Sequence, residues 1–269
     1  MNEPRIYKNS PFLFIFMLLI FGVLFVGLVA AMGRETWYIL LPFGLAFGLI
    51  FLAVIFSLAS QTIISDEEIS TKNLLGTKTL RWSEINQVSG SGHGIKLKDI
   101  DRGITVAPSP QLPGYPEVVE WIGEKRPDLF SPIQQGEMSK SWLAILSMLA
   151  LGVIFIGVGF FAYTQESDTF FPFLIISLVG VGLIGATVFA PRSLAIQGSS
   201  LVIYYFLSQK TLSASEILAV HLSYTQTRNG KHYFIVLNLS NRRTIRLSGF
   251  QPSLPIVYLT LKNWHKKNR

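Results

Sequence analysis

The chain of 269 residues contains no cysteine, so it can build no disulfide, no Cys-ligated zinc site and no thiol nucleophile. Charge is scarce as well: Asp, Glu, Lys and Arg make up 14% of the residues, against about 25% in an ordinary soluble domain. The scarcity is uneven. Four long stretches, 11–33, 37–60, 142–163 and 170–191, contain no Asp, Glu, Lys, Arg or His at all. Acid is nearly missing from the last part of the chain, where residues 191–269 hold eleven Lys and Arg and the single acid Glu216. Residues 61–140, by contrast, hold nine basic and eleven acidic side chains.

What is present in place of charge is apolar surface, with 49% hydrophobic residues and a mean hydropathy of +0.42. At about 1.5 Å rise per residue, each uncharged run reaches roughly 32–36 Å as a helix, enough to cross a hydrocarbon core of about 30 Å. None shows the polar stripe that a surface helix of a soluble protein carries. The pattern predicts four transmembrane helices arranged as two hairpins. The first run is longer than the apolar core of a signal peptide, so it is expected to stay in the protein. The turns inside the hairpins are short and poor in basic residues: Arg34 and Glu35 in one, Glu166 and Asp168 in the other. Basic residues instead precede, separate and follow the hairpins, which predicts that both termini and both polar segments are cytoplasmic. Trp37, Tyr38, Trp142 and Tyr163 fall at run ends, where aromatic rings favour the interface. Gly44 with Gly48, and Gly180, Gly182 and Gly185, are read as close-packing positions between helices.

The chain also repeats itself. Gly22-Val23-Leu24-Phe25-Val26-Gly27 returns as Gly152-Val153-Ile154-Phe155-Ile156-Gly157, and Pro42-Phe43 as Pro172-Phe173, 130 residues later. Lys78-Thr79-Leu80, Ser83-Glu84-Ile85 and Val88 return as Lys210-Thr211-Leu212, Ser215-Glu216-Ile217 and Val220, now 132 residues later. Apolar and polar parts recur in the same order, so the repeating unit is a hairpin followed by a polar domain. This order divides the chain into a hairpin over 1–60, a polar domain over 61–135, a second hairpin over 136–191 and a second polar domain over 192–269.

Both polar segments read as short strands closed by a helix. Glu68-Ile69-Ser70-Thr71 and Gly94-Ile95-Lys96-Leu97-Lys98 alternate, and Val202-Ile203-Tyr204-Tyr205-Phe206 is β-branched and aromatic. Asn229-Gly230 between two such runs is a strong hairpin signal. Helices are expected over 115–124 and 254–265, each just after a proline-containing turn. At Ile64-Ser65-Asp66-Glu67-Glu68-Ile69, and again at Lys78-Thr79-Leu80-Arg81-Trp82-Ser83-Glu84-Ile85-Asn86-Gln87-Val88, the chain resembles the membrane-anchored bacterial PH-like domain proteins. Lys210 to Val220 repeats the second stretch, with Ala214 in the place of Trp82. The resemblance implies two PH-like β-barrels or sandwiches, each with a C-terminal helix, and no catalytic activity. The expected fold class is thus an α+β membrane protein with four spans.

Sites for chemistry are few. Ser89-Gly90-Ser91-Gly92-His93-Gly94 lacks the Lys-Ser/Thr of a phosphate loop and reads as a hairpin turn. His93, His221, His232 and His265 show no metal-ligand spacing, so no metal or cofactor is expected. Glu84 and Glu216 are read as acceptors for backbone N–H groups beside a turn. The positions expected to meet anionic lipid or a partner are Arg242, Arg243 and Arg246 near one strand end, and Lys262, Lys266 and Lys267 on the last helix. Nucleic acid is not an expected partner, because aromatic and basic residues do not interleave. The function expected is that of a non-catalytic scaffold or protein-interaction module that contacts membrane lipids and a protein partner or a second copy of itself. Its alternative is a transporter or channel subunit, against which stand the uncharged runs and the parallel order of the repeats.

Overall fold

The computed structural model describes residues 4–31, 42, 44–46, 48–52, 59–74, 76–131, 138–165, 170–227 and 230–269. They form two compact units, one built from Met1–Ser89 and Gly94–Leu129 with Asn229–Lys231, the other from Gly90–His93, Phe130–Arg228 and His232–Arg269. Both are α+β, and among the described residues fourteen strands lie in four sheets.

The first unit opens with β1 (Arg5–Lys8) and helix α1 (Pro11–Ala31). After the hairpin segment come β2 (Gln61–Ile64), β3 (Glu68–Asn73) and β4 (Gly76–Arg81). They form an antiparallel sheet in the order β1-β2-β3-β4. A second sheet holds β5 (Gln87–Ser89), β6 (Lys96–Asp99) and β7 (Ile104–Val106). Helix α2 (Tyr115–Lys125) follows. Alternation in the strands sends Ile64, Ile69, Leu80 and Leu97 inward, where Val118 and Ile122 of α2 join them in a core that excludes water.

The second unit repeats this plan. Strand β8 (Met138–Ser139) precedes helices α3 (Trp142–Gln165) and α4 (Phe170–Val188), which pack against each other. Then β9 (Ser193–Gln197), β10 (Ser200–Tyr204) and β11 (Gln209–Ser213) complete a sheet in the order β11-β10-β9-β8. Strands β12 (Ile217–Thr227), β13 (Gly230–Leu239) and β14 (Thr244–Leu247) form the other sheet, and α5 (Leu254–Asn268) closes the unit. Strand β13 buries Tyr233, Ile235, Leu237 and Leu239 on one face, as a period of two requires.

The described residues do not contain the predicted set of four transmembrane helices. Among the described residues one helix is long and apolar enough to cross a bilayer, Trp142–Thr164, with 23 residues and a mean hydropathy of 2.6. The fourth run forms α4, whose 19 residues rise about 28 Å, just under the roughly 30 Å of a hydrocarbon core. Helix α4 stops at Val188, before Ala190-Pro191, because the residue ahead of a proline is pushed out of the helical region. Hydropathy reads uncharged length and cannot see such an end. Most of the second run, Trp37 and Tyr38, the two hairpin turns and Asn229 lie outside the described residues.

Some glycines act as expected and others do not. A Cβ at Gly152 of α3 would stand 2.6 Å from Ile184 Cγ1 and 2.9 Å from the Gly180 carbonyl oxygen, and one at Gly180 would meet Gly152 O at 2.6 Å. This pair lets α3 and α4 approach to backbone contact. Among the described residues, Gly182, Gly185 and Gly48 have nothing within 4 Å of such an atom, and Gly44 has Phe25 at 3.9 Å.

The repeated glutamates do bind backbone donors. Glu84 Oε2 accepts the Arg81 N–H at 3.1 Å, and Glu216 Oε2 accepts the Ser213 N–H at 2.7 Å. Each carboxylate closes a capping box on a short 3-10 turn that follows the last strand of its sheet. Ser89 and Lys96 pair across the glycine-rich 90–95 connection, which is therefore a hairpin loop.

Candidate functional site

In both units the strand before the helical hairpin pairs with the strand after it. Arg5 to Lys8 lie opposite Ile64 to Gln61, and Met138 and Ser139 lie opposite Leu194 and Ser193. The hairpin base is thus clamped by neighbouring strands. Lys140 continues the pairing, its N–H donating to the Arg192 carbonyl at 2.9 Å, while the Arg192 N–H donates to Tyr204 O at 2.7 Å.

Register shows which end of the sheet faces the hairpin. Ser193, the first residue of β9, pairs with Tyr204, and Tyr204 pairs with Gln209, so the 205–208 turn lies at the hairpin end. Leu207 in that turn is 82% exposed, and Phe189 at the end of α4 is 77% exposed. The first unit has the same arrangement: Gln61 pairs with Lys72 and Lys72 with Thr77, which places Leu74, 59% exposed, in the turn at its own hairpin end.

A cavity of about 320 Å³ opens at the hairpin base of the second unit. Ala144 and Met148 of α3 and Leu183 and Ala186 of α4 form its apolar walls, and Lys140 and Arg192 stand at its sheet end. The Arg192 guanidinium lies over the Trp142 ring at 5.0 Å and over the Phe206 ring at 5.5 Å. Lys140 Nζ lies 5.7 Å from the centre of the buried Phe250 ring. These aromatic faces hold the two cations in place while leaving their N–H donors usable. Burial pushes the Lys140 pKa down from the ordinary lysine value, the sign of a charge that water reaches poorly. Among the described residues neither side chain is in an ion pair.

The basic residues singled out from sequence lie elsewhere. Arg242 and Arg243 are in the β13–β14 turn, where Arg242 has φ 63° and the Arg243 N–H donates to Asn241 Oδ1 at 3.1 Å. Arg246 is on β14, 5.1 Å over the Phe234 ring. On α5, Lys262 is half-buried with Nζ 5.6 Å from the Tyr258 ring, and Lys266 and Lys267 are exposed in the last turn. The tip of the β13–β14 turn and the end of α5 meet around the start of β12. Ser240 N–H donates to Glu216 O at 2.9 Å, His265 Nε2 lies 2.7 Å from Ile217 O, and Arg269 donates to Leu218 O at 3.3 Å. Glu216 follows Ser213, and Ser213 is the end of β11 remote from the hairpin.

The structure therefore gathers Arg242, Arg243, Lys266 and Lys267 at the far end of the sheet. With about 3.3 Å per strand residue, that is on the order of 13–17 Å from the hairpin base. Sequence reasoning passed over Lys140 and Arg192, treating them only as orientation signals. Their place, one on each side of the uncharged hairpin, was the signal available.

Among the described residues no group of three or more His, Asp or Glu side chains could hold a metal ion. The arrangement offers an apolar slot with two cations at its mouth, and a separate basic end. The chain matches no protein-family model and no curated protein.

Proposed function

We propose that this chain is a bacterial inner-membrane protein that holds two PH-like β domains on the cytoplasmic side and acts as a non-catalytic interaction module. The observation that carries the reading is the clamp at the hairpin base. Strands β8 and β9 hold both ends of an apolar α3–α4 pair, and the exposed Leu207 and Phe189 lie at that same end of the sheet. A helix of 23 uncharged residues is best satisfied in a bilayer, where every backbone group is paired internally and the side chains need no water.

The basic far end, with Arg242, Arg243, Lys266 and Lys267, suits an acidic face of a protein partner. Being directed away from the hairpin base, it is poorly placed for lipid. Contact there gains specificity and association rate from charge complementarity.

The absence of cysteine makes a direct test simple. A Ser240→Cys variant is expected to stay with the membrane after alkaline carbonate extraction. It is expected to react with an impermeant maleimide only after the membrane is opened. Release by carbonate, or labelling in intact spheroplasts, overturns the proposal.

A further inference from the structure

We infer that the cavity between α3, α4 and the hairpin end of the second β domain is a binding site for an anionic phospholipid, with Lys140 and Arg192 on its phosphate and the α3–α4 slot on the first part of an acyl chain. This inference rests on the membrane reading above and places its lipid contact at a site other than the exposed arginines.

Three observations converge on this occupant. The site is amphipathic in the right order. Lys140 and Arg192 lie at the sheet end, and the walls beyond them, Ala144, Met148, Leu183 and Ala186, are apolar. Met148 is six residues along α3 from Trp142, or about 9 Å deeper along the helix, the depth at which headgroup gives way to chain.

The charge is complementary and, among the described residues, uncompensated. Two cations stand together at the mouth, the lining residues include no Asp or Glu, and neither cation is in an ion pair among the described residues. Lys140 is half-buried and Arg192, exposed, stands at the same mouth, so an anion entering there meets two cations at once. A phosphodiester accepts from both, and a guanidinium fixed over Trp142 and Phe206 presents its N–H edge with little entropy left to lose.

The third observation is position. Trp142 is 52% exposed at the first turn of the one described helix able to span a bilayer, and exposed Phe189 and Leu207 lie at the same end. A water-soluble anion would leave this apolar surround and the slot unused. An apolar peptide would leave the two charges unpaired. A phospholipid with a net negative headgroup satisfies both at once.

The test uses the full chain in nanodiscs of phosphatidylcholine doped with lipid brominated near the carbonyl end of the chain, read by tryptophan quenching. Brominated phosphatidylglycerol is expected to occupy the quenching site roughly ten- to thirtyfold more readily than brominated phosphatidylcholine, the preference two interfacial cations supply. Lys140→Gln with Arg192→Gln should bring that ratio to about one, whereas Arg242→Gln with Arg243→Gln should leave it unchanged. Because Arg192→Gln also removes a ring contact, Ala186→Leu, which fills the slot and leaves both cations, serves as the second variant and should lower quenching by phosphatidylglycerol. Equal quenching by the two lipids in the unaltered chain overturns the inference, as does a preference that survives Lys140→Gln with Arg192→Gln or disappears with Arg242→Gln and Arg243→Gln. A chain that fails to enter nanodiscs at all overturns the membrane reading itself, a result distinct from these.

Discussion

His265 holds the carbonyl of Ile217, with Nε2 2.7 Å from the oxygen and the imidazole 8% exposed. The equivalent carbonyl in the first copy, that of Ile85, is held by a different side chain from a different place: Arg126, just after α2, donates to Ile85 O and to Trp82 O and forms a two-pronged pair with Asp128. A second exchange accompanies this one. Trp82 Nε1 donates to Ser65 O at 3.1 Å in the first copy, and where Ala214 replaces that tryptophan, Trp264 of α5 donates to Gly198 O at 2.7 Å in the corresponding turn. The Ile85 and Ile217 acceptors are equivalent, Ser65 and Gly198 are neighbouring positions of the same turn, and the donors have moved between copies, because a carbonyl needs a partner but does not specify its source.

Removing either donor therefore costs stability. His265→Leu, or Arg126→Met, leaves a buried carbonyl unpaired and is expected to destabilise its unit by about 1–3 kcal/mol. Arg126→Lys should recover little, since one ammonium cannot serve two carbonyls and a carboxylate in the same plane. Chemical denaturation of the detergent-solubilised chain, followed by tryptophan fluorescence, gives the comparison. No shift in midpoint for His265→Leu would show that water serves the carbonyl equally well.

Glycine substitutions should separate by position. Gly152→Val drives a side chain into Ile184 and the Gly180 carbonyl, so a loss of about 1–3 kcal/mol is expected from overpacking. Gly185→Ala meets nothing within 4 Å and replaces the poorer helix former, which should stabilise α4 by roughly 0.5–1 kcal/mol. Thermal unfolding in one detergent ranks the two. A Gly152→Val variant as stable as the parent would mean that α3 and α4 do not touch at that point.

The capping carboxylates give a smaller effect. Glu216→Ala loses the acceptor for Ser213 N–H and is expected to cost about 1 kcal/mol. Glu84→Ala should cost slightly more, because Glu84 also pairs with Arg102 at 2.9 Å, an exposed contact of modest strength. The difference is measurable as a double-mutant cycle with Arg102→Ala, and a coupling of zero would assign the whole cost of Glu84→Ala to the cap.

Acid sensitivity has a defined sign. The hydrogen bond and charge of Arg126 hold the Asp128 carboxyl below the usual carboxylate range. A lowered folded-state pKa contributes stability that is complete above the unfolded value of about 4 and is lost as pH falls through the folded value. The first unit should thus weaken below about pH 4, and Asp128→Asn should flatten that part of the profile while lowering stability at neutral pH. Equal slopes for parent and variant between pH 4 and 2 would remove Asp128 from the acid response.

Much of the local structure was legible in the residues. The alternation around Ile69 and the β-branched and aromatic run at Ile203 mark strands, and Pro113 and Pro252 lie in the turns just ahead of α2 and α5, because these signals act within a few residues. The role of Glu84 and Glu216 was readable for the same reason, as each acts on a donor three residues away. Helix length was not. Four uncharged runs suggested four spans, but among the described residues one helix has the length and composition to cross a bilayer.

By itself the sequence determined the duplication, the uncharged hairpin segments, the β character of both polar domains and the divergence of their charge, since each is written in composition or short-range period. Tertiary structure alone decided which glycines meet, where each helix ends, and which cations share a site. Lys140 and Arg192 are 52 positions apart in the chain and become neighbours only because β8 pairs with β9 across the whole length of a helical hairpin. Strand direction then separates them from Arg242, Arg243, Lys266 and Lys267 at the opposite end of the sheet. Register is a long-range property, so no local pattern of charges could have divided the basic residues of one domain between two opposite ends of its sheet.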